Sequence, residues 1–442
     1  MGKTYAYVAW EKIFNEHHLE QLFLHKTRGN SSVGLDWITS SVFEASLSKE
    51  VSIILRKSKA NAYRFTRYRE LLISKGALKL PRCISIPTMR DKLVLSALNE
   101  LIFGVYGSIS TTPMPHSIIS EIRDMIEAKK YDSFIKLDIS TFYASIDHDI
   151  LLKQLRKRIR KPEILNLISS AIMTPTVRAN AIVDSEPRTK GIPEGLSISN
   201  ALANIYLQLI DTKYSRDKRI NYWRYVDDII ILCKHQDIGQ IEESISCDIS
   251  NLRLSINHEK TKTGPIESGF EYLGYYIKPG SISIRQASVI ALERAIEDIF
   301  RSHGKAVNPN PEYLYWKINL KITGFVIDNK KYGWLFFYSQ ITELTCLSHL
   351  DWFIRSLSDR FGIDNHGFKS FMRSYHEITK ALHSTRYIPN LDKLSIEEKK
   401  HIVQDIYGEG KKDDDEKTIE SKFRHLMKKE IRNVQKDIQP FS

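Results

Sequence analysis

Two adjacent acidic residues between two apolar segments constrain the fold of this chain more than any other feature. Asp227 and Asp228 stand in RYVDDIIIL, residues 224–232, after a tyrosine-rich segment and before the apolar run from Ile229 to Leu232. An apolar run of this length is typical of a buried strand. Buried carboxylates are costly unless something pairs with them. The pair is therefore either a solvated hairpin turn or part of a site that binds positive charge.

The charge of the chain is compatible with a polyanionic partner. Its 442 residues leave room for two or three domains, and they carry a formal net charge of +12. A basic balance of this size suits nucleic acid. Many basic proteins bind nothing specific, so the charge alone leaves both interpretations open.

Cysteine usage and hydropathy point to a soluble intracellular protein without a membrane segment. The cysteines form no C-x-x-C pair, which predicts neither a zinc site nor a disulfide framework. They are Cys83, Cys233, Cys247 and Cys346. Residues 1–12 lack the apolar core of a signal peptide. We identify no apolar run near the ~18 residues that a membrane-spanning helix needs.

Two segments predict a strand that leads into a helix. Residues 79–102 alternate in polarity up to Pro87 and then follow helical spacing. Residues 133–155 read as strand, turn and helix, with Asp147 as the expected N-cap of the helix. A third segment, 188–210, predicts a Gly/Pro loop before an amphipathic helix.

A basic segment near the N-terminus has two interpretations. Residues 56–70, RKSKANAYRFTRYRE, interleave arginine and lysine with Tyr63, Phe65 and Tyr68. Basic side chains bind phosphates and aromatic rings stack on bases. The alternative is the solvated face of a helix.

A third carboxylate supplies a candidate explanation for the first two. Asp138 ends the apolar strand of LDIS. If this strand lies beside the hairpin, the carboxylates of Asp138, Asp227 and Asp228 converge on one point. Oxygen ligands suit Mg²⁺, and a pair of such ions roughly 3.5–4 Å apart stabilises attacking and leaving oxygens in phosphoryl transfer.

The order of five segments resembles the reverse transcriptase family, over about residues 75–280. LDISTFYASID in this chain resembles the first catalytic motif of the family. The others, in chain order, are GIPEGLSISNALANIYL, YVDD, SINHEKTK and FEYLGYYI. Each motif alone is modestly specific, whereas all five in the expected order are strongly specific.

The resemblance implies an α+β right-hand polymerase fold. We expect an N-terminal region and fingers at 1–135 and a palm of antiparallel sheet and helices at 136–280. A finger/palm insert is expected at 155–190. A helical thumb at 281–385 and a charged helical tail at 386–442 would complete the chain.

The resemblance implies catalytic roles for individual residues of this chain. Asp138 and Asp227 match the carboxylates that bridge two Mg²⁺ ions, for which Mn²⁺ is a substitute. Asp228 matches a weaker or partial ligand, and the backbone carbonyl of Ile139 matches one that touches the nucleotide-bound metal. Tyr143 stands at the steric-gate position that excludes a ribose 2′-OH; in the alternative, Tyr143 is core and Phe142 faces the sugar.

The resemblance also implies residues that bind the nucleotide and the primer. Gly191, Pro193 and Gly195 match a loop against the nascent base pair, and glycine lets backbone approach a ligand closely. At Glu194 the family usually has glutamine or another neutral residue, so contacts to template or nucleotide are expected to differ. The remaining candidates are Arg82 and Lys75 for the triphosphate, Lys260 as a general acid toward pyrophosphate, and Leu273 with Gly274 as the primer grip. For Arg82, Lys75 and Lys260 the alternative is an exposed basic residue.

Departures from the family's branches narrow the expected function. Thr141 and Phe142 replace the Gly-Cys typical of group II intron enzymes, and Asn204 replaces a retron histidine. The chain most resembles the bacterial reverse transcriptases of abortive infection and antiphage defence, which implies a cytoplasmic RNA-directed DNA polymerase. Implied partners are a structured non-coding RNA template, dNTPs and a DNA product, with a homo-oligomer or second defence subunit left open. The alternatives are an intron maturase, or a template-independent or protein-primed DNA polymerase.

Overall fold

The computed structural model describes residues 5–29, 32–74, 80–180, 186–411 and 413–438. The chain forms two compact units, each made of two chain segments. The first unit comprises Met1–Pro113 and Tyr131–Pro265, and the second comprises Met114–Lys130 and Ile266–Ser442. The expected boundaries of fingers, palm, thumb and tail stay predictions.

Helices and short strands are both present, which confirms the predicted α+β class. The helices are α1 (Tyr5–Ile13), α2 (Glu16–Leu22), α3 (Ser40–Glu44), α4 (Leu47–Lys59), α5 (Met89–Tyr106), α6 (Pro115–Glu127), α7 (Phe142–Ser145), α8 (His148–Arg156), α9 (Pro162–Met173), α10 (Ser199–Tyr214), α11 (Ile238–Asn251), α12 (Gln286–Gly304), α13 (Pro311–Thr323), α14 (Trp334–Phe337), α15 (Thr345–Phe361), α16 (Phe371–Lys380), α17 (Ile396–His401) and α18 (Glu416–Lys436). The strands are β1 (Tyr68–Ile73), β2 (Arg82–Ile86), β3 (Ser133–Asp138), β4 (Thr176–Val177), β5 (Asn221–Tyr225), β6 (Asp228–Cys233), β7 (Lys262–Pro265), β8 (Phe270–Tyr272), β9 (Tyr275–Lys278), β10 (Ser281–Ile284), β11 (Phe325–Ile327) and β12 (Lys330–Tyr332).

The central sheet of the first unit has the strand order β5-β6-β3-β7, and every neighbouring pair is antiparallel. The middle strand β6 contains three consecutive isoleucines, which are β-branched and favour strands. Ile135, Ile229 and Ile231 are fully buried in the main core. Burying each such side chain contributes about 1.5–3 kcal/mol, so the register of β3 and β6 is strongly specified.

The predicted strand-to-helix segments are confirmed. β2 ends at Ile86, and Thr88 caps α5 by accepting a hydrogen bond from the backbone N–H of Asp91. Asp147 caps α8 in the same way, accepting from the N–H of Ile150. Capping oxygens satisfy donors that a helix N-terminus otherwise leaves without partners.

The structure contradicts both interpretations of the aromatic residues of segment 56–70, the stacking surface and the solvated helix face. Tyr63, Phe65 and Tyr68 are all buried. The Tyr63 hydroxyl donates to Asp91, and the Tyr68 hydroxyl donates to the carbonyl of Ala171. These rings belong to the core of the first unit, so the expectation that they stack on bases is wrong.

The second unit is mainly helical, as expected from residue 285 onward. Two small antiparallel sheets, β10-β9-β8 and β11-β12, accompany its helices. Two buried ion pairs join α13 to the C-terminal region. Lys317 contacts Glu430 at 2.6 Å between Nζ and either carboxylate oxygen, and Lys321 pairs with Asp437. Both lysine side chains are at most 10% exposed.

One helical segment, 89–127, is long and apolar enough by length and composition to cross a membrane. The sequence had led us to expect none. Half of its most apolar window is buried inside the structure, and Leu93, Val94 and Leu98 of α5 belong to the main core. A core helix passes the same test, so the segment is weak evidence for a membrane span.

Candidate polymerase active site

The three aspartates meet at one end of the central sheet. Asp138 ends β3, Asp228 begins β6, and the two residues are directly opposite in the antiparallel register. Tyr225 pairs with Asp228 across β5 and β6, which leaves Val226 and Asp227 as a two-residue turn. The turn therefore places Asp227 beside the other two carboxylates, as the sequence predicted.

A loop after α11 lies along the backbone of Asp138. The backbone N–H of Asn257 donates to the Asp138 carbonyl at 2.8 Å, and Ile139 forms an antiparallel bridge with Ile256. The Asn257 amide also donates to Asp138 Oδ2 at 3.2 Å. The buried Ile139 side chain and this bridge fix its backbone, and its assignment as a carbonyl ligand stays a prediction. Asn257 was not singled out from the sequence, although it lies inside SINHEKTK.

Lys260 contributes a positive charge to the same cluster. Its ammonium lies 3.1 Å from Asp138 Oδ1, and its side chain is 51% exposed. The sequence proposed Lys260 as a general acid toward pyrophosphate. The structure places it beside Asp138, and its part in proton transfer stays a prediction.

Burial and mutual repulsion raise the pKa values of the hairpin carboxylates. Burial is the main cause at Asp227; the Asp138 charge adds to it, and Lys260 and Arg82 oppose it. Burial raises the pKa of Asp228 to about 6; the charge of Lys136 opposes this increase, and the charges of Asp227 and Asp138 add to it. Clustered carboxylates of this kind gain stability when a cation neutralises them.

The donor set fits a hard divalent cation, although the side chains are not arranged as a formed metal site. Within the described ranges, no group of three His, Cys, Asp or Glu side chains has metal-ligand spacing. All three candidates are carboxylates, the ligands that Mg²⁺ prefers. Asp138, Asp227 and Asp228 would hold the ion, and Lys260 would have to release Asp138 Oδ1 to admit it.

Tyr143, rather than Phe142, is positioned near the carboxylates. Phe142 is 2% exposed within the main core, which argues against the alternative in which its ring faces the sugar. Tyr143 is partly exposed. Burial raises the pKa of its hydroxyl to about 12, and the charges of Asp227 and Glu194 add to this increase. The steric-gate role of Tyr143 stays a prediction.

The glycine loop packs between α7 and β2. Gly191 has φ +83°, and a Cβ there would lie 2.8 Å from the carbonyl oxygen of Ala144. Gly195 has φ +98°, and a Cβ there would lie 2.6 Å from Ile84 Cγ2. The Pro193 carbonyl accepts a hydrogen bond from the buried Ser199 hydroxyl at 2.6 Å. Only glycine fits both close approaches without strain.

The unusual Glu194 pairs with the arginine that was predicted to meet the triphosphate. Arg82 Nε donates to Glu194 Oε2, and the side chains are 36% and 28% exposed. The backbone carbonyl of Glu194 accepts from Ser85 N–H at 2.7 Å, which ties the loop to β2. Arg82 therefore has a carboxylate partner in the absence of nucleotide.

Three candidates remain. Lys75 falls outside the described residues. Leu273 and Gly274 form the two-residue β8–β9 turn of the second unit, with φ values of 47° and 80°. The Leu273 side chain is buried, and the primer-grip assignment stays a prediction.

Comparison with known proteins agrees with the family resemblance of the five motifs. The family model described as "Reverse transcriptase (RNA-dependent DNA polymerase)" matches residues 73–277. This range includes all three aspartates and the antiparallel sheet that carries them. The predicted palm lies largely within the matched range, and its assignment stays a prediction.

Several curated relatives resemble the chain at low identity. Protein YkfC of Escherichia coli (strain K12) is 21% identical over 341 residues, covering 66% of this chain and 87% of the relative. The group II intron-encoded protein LtrA of Lactococcus lactis subsp. cremoris is 22% identical, covering 70% of this chain and 60% of LtrA. The putative COX1/OXI3 intron 2 protein of Saccharomyces cerevisiae is 24% identical, covering 57% of this chain and 36% of that protein.

Among solved structures, two telomerase structures from Candida tropicalis are similar to the chain. The apo enzyme has a TM-score of 0.44 at 13% identity, covering 85% of this chain and 66% of that one. The complex with a fragment of telomeric RNA has a TM-score of 0.41 at 15% identity, covering 77% of this chain and 61% of that one. Likenesses of this size carry no argument about function.

Proposed function

We propose that this chain, whose residues 73–277 match the reverse transcriptase family model, copies an associated structured RNA into DNA in bacterial antiphage defence. The observation that carries the polymerase assignment is the register of β3 and β6. It sets Asp138 opposite Asp228, with Asp227 in the adjoining turn. Departures at Thr141, Phe142 and Asn204 from the intron and retron motifs support the defence branch.

The chain's own residues suggest how the reaction proceeds. Asp138, Asp227 and Asp228 would hold divalent cations, which would supply charge stabilisation to the phosphoryl group being transferred. The Arg82 guanidinium binds the triphosphate once it leaves Glu194, since arginine matches phosphate oxygens well. Tyr143 excludes nucleotides that carry a 2′-OH. A primer hydroxyl attacks the α-phosphorus, the bond to pyrophosphate breaks, and Lys260 is the candidate proton donor to that leaving group.

Purification with bound RNA tests the proposal. The protein is isolated from its native locus, its RNA is sequenced, and labelled dNTPs or rNTPs are added with Mg²⁺. We expect one abundant small RNA and a DNA product that is absent with Asp227→Ala. Synthesis that requires dNTPs, does not occur with rNTPs, and is seen only in samples that retain the RNA would support copying of that RNA. Equal product from Asp227→Ala would contradict the polymerase assignment.

An intron maturase is the second candidate, because LtrA and other intron proteins are among the relatives. The same RNA sequencing separates the two. Bound intron RNA, rather than a dedicated small RNA, would favour a maturase. DNA product formed after complete RNA removal would favour template-independent or protein-primed synthesis.

Cellular context forms part of the proposal. The polymerase would act in the bacterial cytoplasm, where its dNTPs and RNA are available. A homo-oligomer or a second defence subunit is compatible with it. Deletion of the locus should raise phage plating efficiency, and complementation with Asp227→Ala should not restore protection.

A further inference from the structure

The turn that carries Asp227 has a strained backbone. Val226 has φ +59°, a conformation that β-branched residues rarely adopt. In a two-residue hairpin turn with a positive φ at its first position, glycine is the usual residue there. Strain of this kind costs about 1–3 kcal/mol and persists only where surrounding contacts enforce it.

Arg224 supplies such a contact. Its Nη1 donates to the carbonyl oxygen of Val226 at 2.7 Å, the carbonyl that directly precedes Asp227. The Arg224 side chain is 8% exposed. A buried guanidinium hydrogen-bonded to a strained peptide restricts the rotation of that peptide, because losing the bond would leave a buried donor unsatisfied.

The same guanidinium is anchored to helix α10. Its Nε and Nη2 bind the two oxygens of Asp211 at 2.8 and 2.6 Å, a bidentate geometry. Nη1 also donates to Asn204 Oδ1 at 3.2 Å. The Tyr222 hydroxyl donates to Asp211 Oδ1 at 2.8 Å and thereby orients the carboxylate.

Asn204 is itself oriented by a further contact. Its amide nitrogen donates to the Thr112 hydroxyl at 3.1 Å, so its carbonyl oxygen faces Arg224. Asp211 and Asn204 lie on one helix, and both hold the same guanidinium. The chain of contacts thus runs from a rigid core helix through one side chain to the peptide before Asp227.

We propose that Arg224, held by Asp211 and Asn204, is a positioning residue that keeps the Val226–Asp227 turn in its strained form and so aims the carboxylates of Asp227 and Asp228 at Asp138. The proposal rests on the proposed polymerase function. Arg224 acts through the backbone turn, and its charge is compensated by Asp211. A lysine at this position keeps the charge but loses the planar, bidentate geometry.

The test compares Arg224→Lys with wild type and with a matched control. Arg219→Lys alters another arginine that binds an aspartate through Nε and Nη2, at 3.1 and 2.7 Å from Asp217, but with a side chain 49% exposed. Three quantities are measured: kcat and KM for dNTP, the Kd for Mn²⁺ by calorimetry, and the melting temperature. The Mn²⁺ titration needs no turnover.

We expect Arg224→Lys to lower kcat and weaken Mn²⁺ binding by about 10- to 100-fold, the usual effect of losing a contact that orients metal ligands. The dNTP KM should change much less, and Arg219→Lys should match wild type. Asp211→Asn, measured in parallel, should act in the same direction with a smaller effect. Asp211→Asn still tests the positioning role if Arg224→Lys fails to fold.

Removal of the strain gives the decisive control. Val226→Gly allows the positive φ without cost, so adding it to Arg224→Lys should restore kcat and Mn²⁺ affinity by about tenfold or more. The positioning role would be overturned if Arg224→Lys lowered only the melting temperature, left the Mn²⁺ affinity unchanged, and was not rescued by Val226→Gly. An inactive wild type that binds Mn²⁺ in an Arg224-dependent way would contradict the polymerase proposal but support the positioning role.

Discussion

Buried or partly buried carboxylates occur in both units of this protein, and the two groups have different neighbours. In the second unit, Glu430 and Asp437 each contact a buried lysine on α13. In the first unit, Asp227 and Asp228 lie beside Asp138, whose ion-pair partner Lys260 is half exposed. Burial raises the pKa of both Asp437 and Asp228. Nearby lysines oppose this rise at Asp437, whereas at Asp228 the charges of Asp227 and Asp138 add to it and those of Lys136 and Lys260 oppose it.

The difference separates structural from functional carboxylates. A buried carboxylate with its own lysine is neutralised by the fold and contributes to the docking of a helix. Carboxylates that repel one another are candidates for a site where a ligand adds positive charge. Burial alone therefore does not identify the site; the clustering of like charges does.

The largest effect is expected from removing a carboxylate of the repelling cluster. Asp227→Asn should lower DNA synthesis by about a thousandfold or more, because the transition-state charge loses its stabilisation. Its stability in metal-free buffer should be unchanged or higher, since one repelling charge is gone. Primer-extension assays and urea unfolding check both parts, and a marked loss of metal-free stability would contradict the comparison.

Removing a carboxylate of the paired group should have the reverse pattern. Glu430→Ala leaves Lys317 buried without its partner, and breaking such a pair typically costs about 3–5 kcal/mol. Urea unfolding should show this loss, while kcat well below the melting temperature stays close to wild type. The double variant Lys317→Met/Glu430→Leu should recover much of the stability. A full loss of DNA synthesis in a folded Glu430→Ala protein would contradict the distinction between structural and functional carboxylates.

Much of this arrangement was predictable from the sequence. Apolar runs predicted β3 and β6, and three aspartates at their ends predicted a cluster of carboxylates. The register sets Asp138 opposite Asp228 with Asp227 in the adjoining turn, but the three side chains lack metal-ligand spacing. The Arg82–Glu194 pair and the Asn257 contact were not predictable, because they depend on side-chain orientation across segments far apart in the chain. Tyr63, Phe65 and Tyr68 were misjudged as candidate stacking residues because basic neighbours suggested exposure while their rings enter the core.

The partly exposed pair of Arg82 and Glu194 offers an intermediate case with a smaller effect. Arg82→Gln should raise the dNTP KM by about tenfold, as expected for a lost charged hydrogen bond. Glu194→Gln should lower that KM by about two- to fivefold, because an exposed ion pair that competes with the triphosphate is worth at most about 1 kcal/mol. Steady-state kinetics measure both, and a higher KM for Glu194→Gln would show that the carboxylate assists binding.

The smallest expected effect concerns pH. The pKa of Asp228 in the folded protein is raised to about 6, above its ordinary value near ~3.9. The folded state therefore binds this proton more tightly, and stability due to Asp228 decreases as pH rises from about 4 to about 6. In metal-free buffer, Asp228→Asn should become more stable than wild type over that range, by on the order of 1 kcal/mol. A constant difference between the two proteins would contradict the raised pKa.

The central claim is that the carboxylates of the first unit form a cation site and those of the second unit do not. Calorimetric titration of Mn²⁺ into wild type, Asp227→Asn and the Lys317→Met/Glu430→Leu double variant tests it directly. We predict binding to wild type and to the double variant, and its loss or severe weakening in Asp227→Asn. Equal Mn²⁺ binding by all three proteins would contradict the account.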